Sequence, residues 1–196
     1  MPTLTTKLET VNSMLGHIGE TPVNSIADTN ALPVSAAMAV TIIDEVSREV
    51  QTEGWHFNTE DNVELTPDSQ GNITIPEDVI ELDVADKTVD IVQRGLSLFD
   101  KRTNTTTFKD KITVSLIRLL DWDSLPEVAR RYITLRASRV FQGRVVGSRE
   151  LESLIARDEF QARARLMNTD GNTSDRTIFD SPDVASRIGI NRNYSI

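Results

Sequence analysis

The stretch Val50-Gln51-Thr52-Glu53-Gly54-Trp55-His56-Phe57-Asn58-Thr59-Glu60-Asp61-Asn62-Val63-Glu64-Leu65 changes its periodicity in the middle, and the fold class turns on that change. Up to Gly54 the apolar residues recur at helical spacing. Met38, Ile42, Ile43, Val46 and Val50 form one stripe, and Glu45, Arg48, Glu49 and Glu53 take the solvent side. Gly54 stops that helix, since glycine enters left-handed backbone at no steric cost. Beyond Trp55 the period falls to two. Val63-Glu64-Leu65, Ile73-Thr74-Ile75, Val89-Asp90-Ile91 and Ile112-Thr113-Val114-Ser115-Leu116 alternate as half-buried strands do. Pro67-Asp68, Gln70-Gly71-Asn72, Arg94-Gly95 and Thr103-Asn104 supply turns between them. Short strands joined by turns predict an antiparallel meander.

Helical spacing brackets this segment on both sides. Leu8, Val11, Leu15 and Ile18 predict a first helix over about 5–17, stopped by Gly16 and Gly19. Pro33 stands just ahead of the second helix, with Ser35 as a candidate cap. After residue 120, Ser124 is a candidate cap with Pro126 and Glu127 in the first turn. Val128, Ala129, Tyr132, Ile133, Ala137, Val140 and Phe141 then mark a third apolar face. Gly143 and Gly147 bracket its end. Ser148 opens a fourth helix to about Met167, with Leu151, Leu154, Ile155, Ala162 and Leu166 inward. The expectation is an α+β chain. Residues 1–54 and 121–167 form a four-helix bundle, residues 55–120 an inserted antiparallel β lobe, and residues 168–196 an extended C-terminal arm. The arm begins with the polar run Asp170–Asp175, and its apolar residues, Ile178, Phe179, Val184, Ile188, Ile190 and Tyr194, have no period.

Composition narrows the classes. Hydrophobic residues make up 38% of the 196, enough for a core, and aromatics only 5%. No run approaches the roughly 18 apolar residues of a membrane span, so no membrane partner is expected. The first residues lack the basic-then-apolar order of a secretory signal. There is no cysteine, which removes disulfides, thiolate metal sites and cysteine nucleophiles and fits a reducing cytoplasm. The net charge of −9 is unevenly spread: residues 1–100 carry 4 Lys/Arg against 18 Asp/Glu, and residues 101–196 carry 17 against 12. Two readings are open: the halves attract each other between copies, head to tail, or each simply solvates its own surface. The acidity argues against sequence-specific duplex binding.

Residues suited to catalysis are few. His17 and His56 stand outside any metal-ligand spacing, and the chain has no GxSxG, P-loop or phosphate-binding GxGxxG. Asp121, Asp123 and Glu127 cluster, as do Glu60 and Asp61. Carboxylates at a helix start are the normal complement of the helix dipole, while a glycan hydrolase acting on a host envelope is the alternative that such pairs leave open. No catalytic residue, cofactor or metal is assigned. The arginines are more telling: from Arg118 to Arg165 there are ten and no lysine. Arginine pairs bidentately with carboxylates and tolerates interface burial. Arg130, Arg131, Arg136, Arg139, Arg144 and Arg149 are therefore candidate interface residues, together with Ile178, Phe179 and Tyr194 of the arm. Pairing with acidic residues of the same helices is the competing account.

Three segments, in order, resemble one family. Val11-Asn12-Ser13-Met14-Leu15-Gly16-His17-Ile18-Gly19-Glu20-Thr21-Pro22-Val23 resembles the opening of the tail tubular protein A family, the adaptor or gatekeeper of short-tailed bacteriophages. Gly54-Trp55-His56-Phe57-Asn58-Thr59-Glu60 resembles the segment after that family's second helix. Leu119-Leu120-Asp121-Trp122-Asp123-Ser124-Leu125-Pro126-Glu127, running on to Arg139-Val140-Phe141, resembles its third block. The resemblance covers about residues 4–170. It implies a structural subunit of the virion tail, assembled in the host cytoplasm into a dodecameric ring. The ring would stand between the portal protein and the tubular nozzle protein, and genomic DNA would pass through it without sequence recognition. It also implies that Gly16, Gly19 and Pro22 form a turn after the first helix. Gly54, Trp55 and Phe57 would form the junction of bundle and β lobe, where Trp55 and Phe57 would each contribute about 2–3 kcal/mol by burial.

Overall fold

The computed structural model describes residues 3–84 and 89–173. Helix α1 (Lys7–His17) starts two residues later than its spacing suggests, because Thr6 caps it. The Thr6 hydroxyl accepts from the Glu9 amide at 3.1 Å, and the Thr6 amide donates to the Glu9 carboxylate at 2.7 Å. Gly16 lies inside the helix, and the chain turns away at Gly19. The returning loop is held by Asn12, whose amide exchanges bonds of 2.8 and 3.0 Å with both backbone groups of Val23.

Helix α2 (Val34–Thr52) follows Pro33. Ser35 does not cap it; its hydroxyl donates to the Glu20 carboxylate instead. Helix α3 (Glu127–Val145) starts after Pro126. The expected cap, Ser124, closes a short 3-10 turn over Trp122–Ser124. Pro126 fixes the entry backbone without a side-chain bond. Helix α4 (Arg149–Thr173) follows after a tight turn.

Helices α1, α2 and α3 share one core built on Val11, Met14, Leu15, Ile42, Ile43, Val50, Tyr132, Ile133 and Phe141. Residues 1–54 and the later helices therefore close on one another, and buried hydroxyls of Thr10 and Thr134 meet at 3.0 Å where α1 crosses α3. Helix α4 packs chiefly along α3. Its inward stripe is Ile155, Glu159, Ala162 and Leu166. Leu151 and Leu154, expected inside, are 38% and 54% exposed. Leu154 lies to the flank of that stripe, and Leu151, although on its row, sits in the exposed first turn of the helix. The expected break after Met167 is also absent, since α4 runs through Thr173. Asp170 accepts the backbone N–H of His56 at 2.7 Å and so ties that last turn to the body. The arm residues Ile178, Phe179, Val184, Ile188, Ile190 and Tyr194 lie outside the described residues.

The β lobe is antiparallel but not a meander. Strand β5 (Ile112–Arg118) sits between β1 (Thr59–Leu65) and β2 (Val79–Val84), while β3 (Ile91–Arg94) and β4 (Ser97–Asp100) form a separate hairpin. The register of β1 on β5 slips between Glu60 and Val63, and Asn62 there takes a positive φ of 59°. Ile73-Thr74-Ile75 is not a strand but an isolated bridge from Thr74 to Ser97, with the Ile75 N–H donating to the Leu96 carbonyl at 2.9 Å, and both isoleucines are buried at 1%. A second core of Ile73, Ile75, Val79, Leu98, Val114 and Leu116 fills the lobe.

Exposed carboxylates stabilise the turns. Glu9 is held below the usual carboxylate range by the Thr6 amide, Asp68 by the Asn72 amide, and Asp100 by the Thr103 hydroxyl. Each binds a proton more weakly folded than unfolded, so its contribution is complete above the carboxylate range and is lost as pH falls through it. We expect the urea midpoint to drop between about pH 5 and about pH 3. A variant with Glu9→Gln, Asp68→Asn and Asp100→Asn should show a shallower drop.

Candidate assembly interface

The junction of helices and lobe forms where α2 ends. Gly54 takes φ +71°, which favours glycine; a Cβ there would lie 2.8 Å from Ile117 Cδ1, the end of a side chain that can shift aside. Trp55 is 6% exposed and donates its indole N–H to the Val50 carbonyl at 2.7 Å. Phe57 packs half-buried against the helical core. Gly54, Trp55 and Phe57 thus gather at one place; the chain turns at Ile18 and Gly19 after α1, and Pro22 lies beyond that turn in the returning loop.

Two amides that the sequence reading did not single out complete the junction. Gln51, fully buried, donates to the Leu120 carbonyl at 3.1 Å and accepts the Leu120 N–H at 2.7 Å. Asn58, 3% exposed, accepts the Trp55 N–H at 2.9 Å. It donates to the Gln51 carbonyl at 2.9 Å and to the Arg118 carbonyl at 2.8 Å. Each amide gives the buried backbone the partners that water would otherwise supply. The one legible signal was a polar residue next to Val50, beside the buried stripe.

Of the carboxylate clusters, Glu60, Asp61 and Glu127 have local partners. Arg118 binds Asp78 and Glu60, both at 2.8 Å, and its own pKa is raised by Asp78 first and Glu60 second. Asp61 accepts the Ser115 hydroxyl at 2.8 Å. Glu127 takes the Thr5 N–H at 2.8 Å and its hydroxyl at 2.5 Å. The His17 imidazole is held below the usual histidine range by partial burial and then by the Arg131 charge. Among the described residues, no group of three or more His, Asp or Glu is placed to hold a metal, and no helix is long and apolar enough to cross a membrane.

Most candidate interface arginines are occupied inside the chain. Arg130 is 3% exposed and donates to the carbonyls of Leu125, Thr5 and Asp123 at 2.9, 2.9 and 2.7 Å. A buried guanidinium so engaged offers no surface, and Arg130 leaves the candidate set. Arg136 joins three helices, reaching Glu49 of α2 at 2.5 Å and Glu159 of α4 at 3.2 Å. Its pKa stands above the ordinary arginine value, first through the Glu49 bond. Arg139 lies 3.1 Å from Glu159, and Arg144 lies 3.0 Å from Glu45. Arg131 and Arg149 are exposed, and neither forms an ion pair among the described residues. Around Arg149 the surface exposes Val145, Val146, Leu151 and Leu154, at 38–54%. Further along α4, Phe160 is 74% and Met167 55% exposed. Arginine set among exposed apolar side chains is the composition of a protein–protein interface.

Comparison with known families gives one match. A family model described as Tube, tail tubular protein, matches residues 8–176, which takes in both the helical body and the β lobe. A comparison with curated proteins finds no match.

The junction makes a stability prediction. Trp55→Ala should cost about 3–5 kcal/mol, the range for emptying a buried aromatic site. Asn58→Leu should cost about 2–4 kcal/mol, because the Trp55 N–H and the Gln51 and Arg118 carbonyls lose their partner. Urea unfolding followed by tryptophan fluorescence, or by circular dichroism for the Trp55 variant, measures both. A loss below about 1 kcal/mol for Asn58→Leu would mean that the amide is dispensable.

Proposed function

The chain belongs to the tail tubular protein family, and from that premise we propose that it is the ring subunit joining the phage portal to the tail nozzle. It is a structural component of a bacteriophage tail, and its place is in the virion. In the proposed assembly the ring is dodecameric, is built in the host cytoplasm, and lines part of the channel through which genomic DNA leaves. The observation that carries this reading is the family match through residues 8–176, which spans both lobes and the junction between them.

The physical arrangement supports it. A ring needs two different patches on each copy, one complementary to the other. The acidic first half and the arginine-rich second half supply opposite signs, and the exposed flank of α4 supplies apolar area. Of the carboxylates that a glycan hydrolase would use, Glu60, Asp61 and Glu127 are engaged in an ion pair and hydrogen bonds within the chain, and no observation favours that alternative. In this reading residues 174–196, with Ile178, Phe179 and Tyr194, make the contact with the portal. Many copies on one ring would add avidity to weak single contacts.

The test is assembly. Native mass spectrometry of the chain mixed with portal protein should give a complex with a ring of copies, weakening as salt rises from about 0.05 M to about 0.5 M because rim charges are screened. Deleting residues 174–196 should leave Tm unchanged and weaken portal attachment. A chain that stays monomeric with the portal under all these conditions overturns the ring reading. A truncated chain that attaches normally removes the C-terminal residues from the contact.

A further inference from the structure

Among the described residues, the two most exposed large apolar side chains are Val34 at 81% and Phe160 at 74%, and they stand on different helices. Phe160 lies on α4, with Met167, 55% exposed, two turns further along the same side. Ala156 and Ala164 stand one turn before and one turn after Phe160, so the stripe alternates large and small residues. The inward stripe of Ile155, Glu159, Ala162 and Leu166 already attaches α4 to the body, which leaves Phe160 outward. Val34 opens α2, and Met38, 39% exposed, follows one turn on. The charge around the two patches is opposite. Residues 160–169 carry Arg163 and Arg165 and no acidic residue, and Arg157 stands one turn ahead of Phe160. Arg163 is paired with Glu53 at 2.7 Å, whereas Arg165 makes no ion pair among the described residues. Residues 8–47 carry five acidic residues and no lysine or arginine. Of those five, Glu20 stands against the start of α2, where its carboxylate accepts the Ser35 hydroxyl. Asp28 holds the turn just ahead, accepting the Asn30 N–H at 3.0 Å.

We propose that Val34 and Met38 of one copy pack onto the Phe160–Met167 stripe of the next copy, head to tail, with Glu20 and Asp28 turned toward the arginines of α4. The proposal rests on the ring reading and assigns one of its contacts. Charge selects this pairing. Two α4 stripes set face to face would bring arginine against arginine, and two starts of α2 would bring carboxylate against carboxylate. The mixed pairing alone joins opposite signs. It is also the pairing that leaves each copy with one free patch of each kind, so that identical copies add in one direction until the ring closes. Apolar anchors inside a charged rim are the usual anatomy of such a contact, and a few side chains carry most of its affinity. Met38 and Met167, unbranched and adaptable, suit a fit that repeats at every step around a ring.

The experiment uses the full chain, with portal protein present if rings need it. The chain has no cysteine, so each introduced thiol reports one place. Rings of a chain carrying both Val34→Cys and Phe160→Cys are treated with a short bismaleimide and run on a denaturing gel. They should give a ladder of linked copies that ends at the closed ring, whereas a chain with Phe160→Cys alone should give no linked dimer. Phe160→Gln should weaken ring formation by roughly tenfold or more with Tm unchanged, since the side chain is outward and glutamine is a good helix former. Rings that form normally with Phe160→Gln overturn the proposal. So do rings of the double variant that give no link between copies, a ladder that stops at dimers, or links made only to the portal protein. If wild-type chain forms no ring at all, alone or with portal, the ring reading falls first and this contact with it.

Discussion

Everything about how the two lobes meet depends on the buried amides of Gln51 and Asn58. Helix α2 ends and the chain must turn into a sheet, while β5 must return to the same place before α3 can begin. Backbone groups at both crossings are partly withdrawn from water and lie at or beyond the ends of the regular ladders. Gln51 satisfies Leu120 on both its N–H and its carbonyl, and Asn58 spans from Trp55 to Arg118. Leaving such groups unpaired would cost about 1–3 kcal/mol each. Segments 69 and 60 residues apart in sequence are thereby fixed side by side. Trp55 and Gly54 then fill the space that those bonds define.

The helical body uses charge in a similar way. Glu45, Glu49 and Glu53 lie four apart on one face of α2 and meet Arg144, Arg136 and Arg163 in that order. Arg163 also donates to the Tyr132 hydroxyl at 2.9 Å, so α4 is attached by polar links as well as by Leu166. Exposed pairs of this kind contribute about 0–1 kcal/mol each. Their effect is on register more than on stability: the acidic ladder of α2 sets where α3 and α4 lie along it. The arginine bias that suggests an outward role in the sequence is therefore spent largely on pairs within the chain, and among the candidates Arg131 and Arg149, with Arg144 beside its pair to Glu45, are exposed.

Periodicity made the four helices legible, since each carries an apolar stripe over several turns. It placed the change to β structure at Gly54 and Trp55, and three ordered segments pointed to the family. Locally it missed β2, although Val79–Val84 alternates, and β4 at Ser97–Asp100. The other misses are nonlocal. Strand order is one case: nothing local says that β5 comes between β2 and β1. The fate of Leu154 is another, because one stripe on α4 is filled by Ile155 and Leu166 and a second apolar flank reads the same in sequence. Gln51, Asn58 and Arg130 are the third. A buried polar residue looks like a surface residue until the carbonyl it serves, up to 125 positions away for Arg130, is brought to it.

The slipped register in β1 has a consequence for a protein that works among many copies of itself. An open sheet edge is a template on which another strand can add, and one addition exposes the next edge. At Asp61 and Asn62 the backbone steps out of phase, and Asn62 sits in left-handed space. A strand laid along that edge would find its ladder interrupted after two residues. Fibrous growth along this edge is thus cut off at its nucleation step, leaving side chains as the means by which this edge of the lobe touches a neighbour.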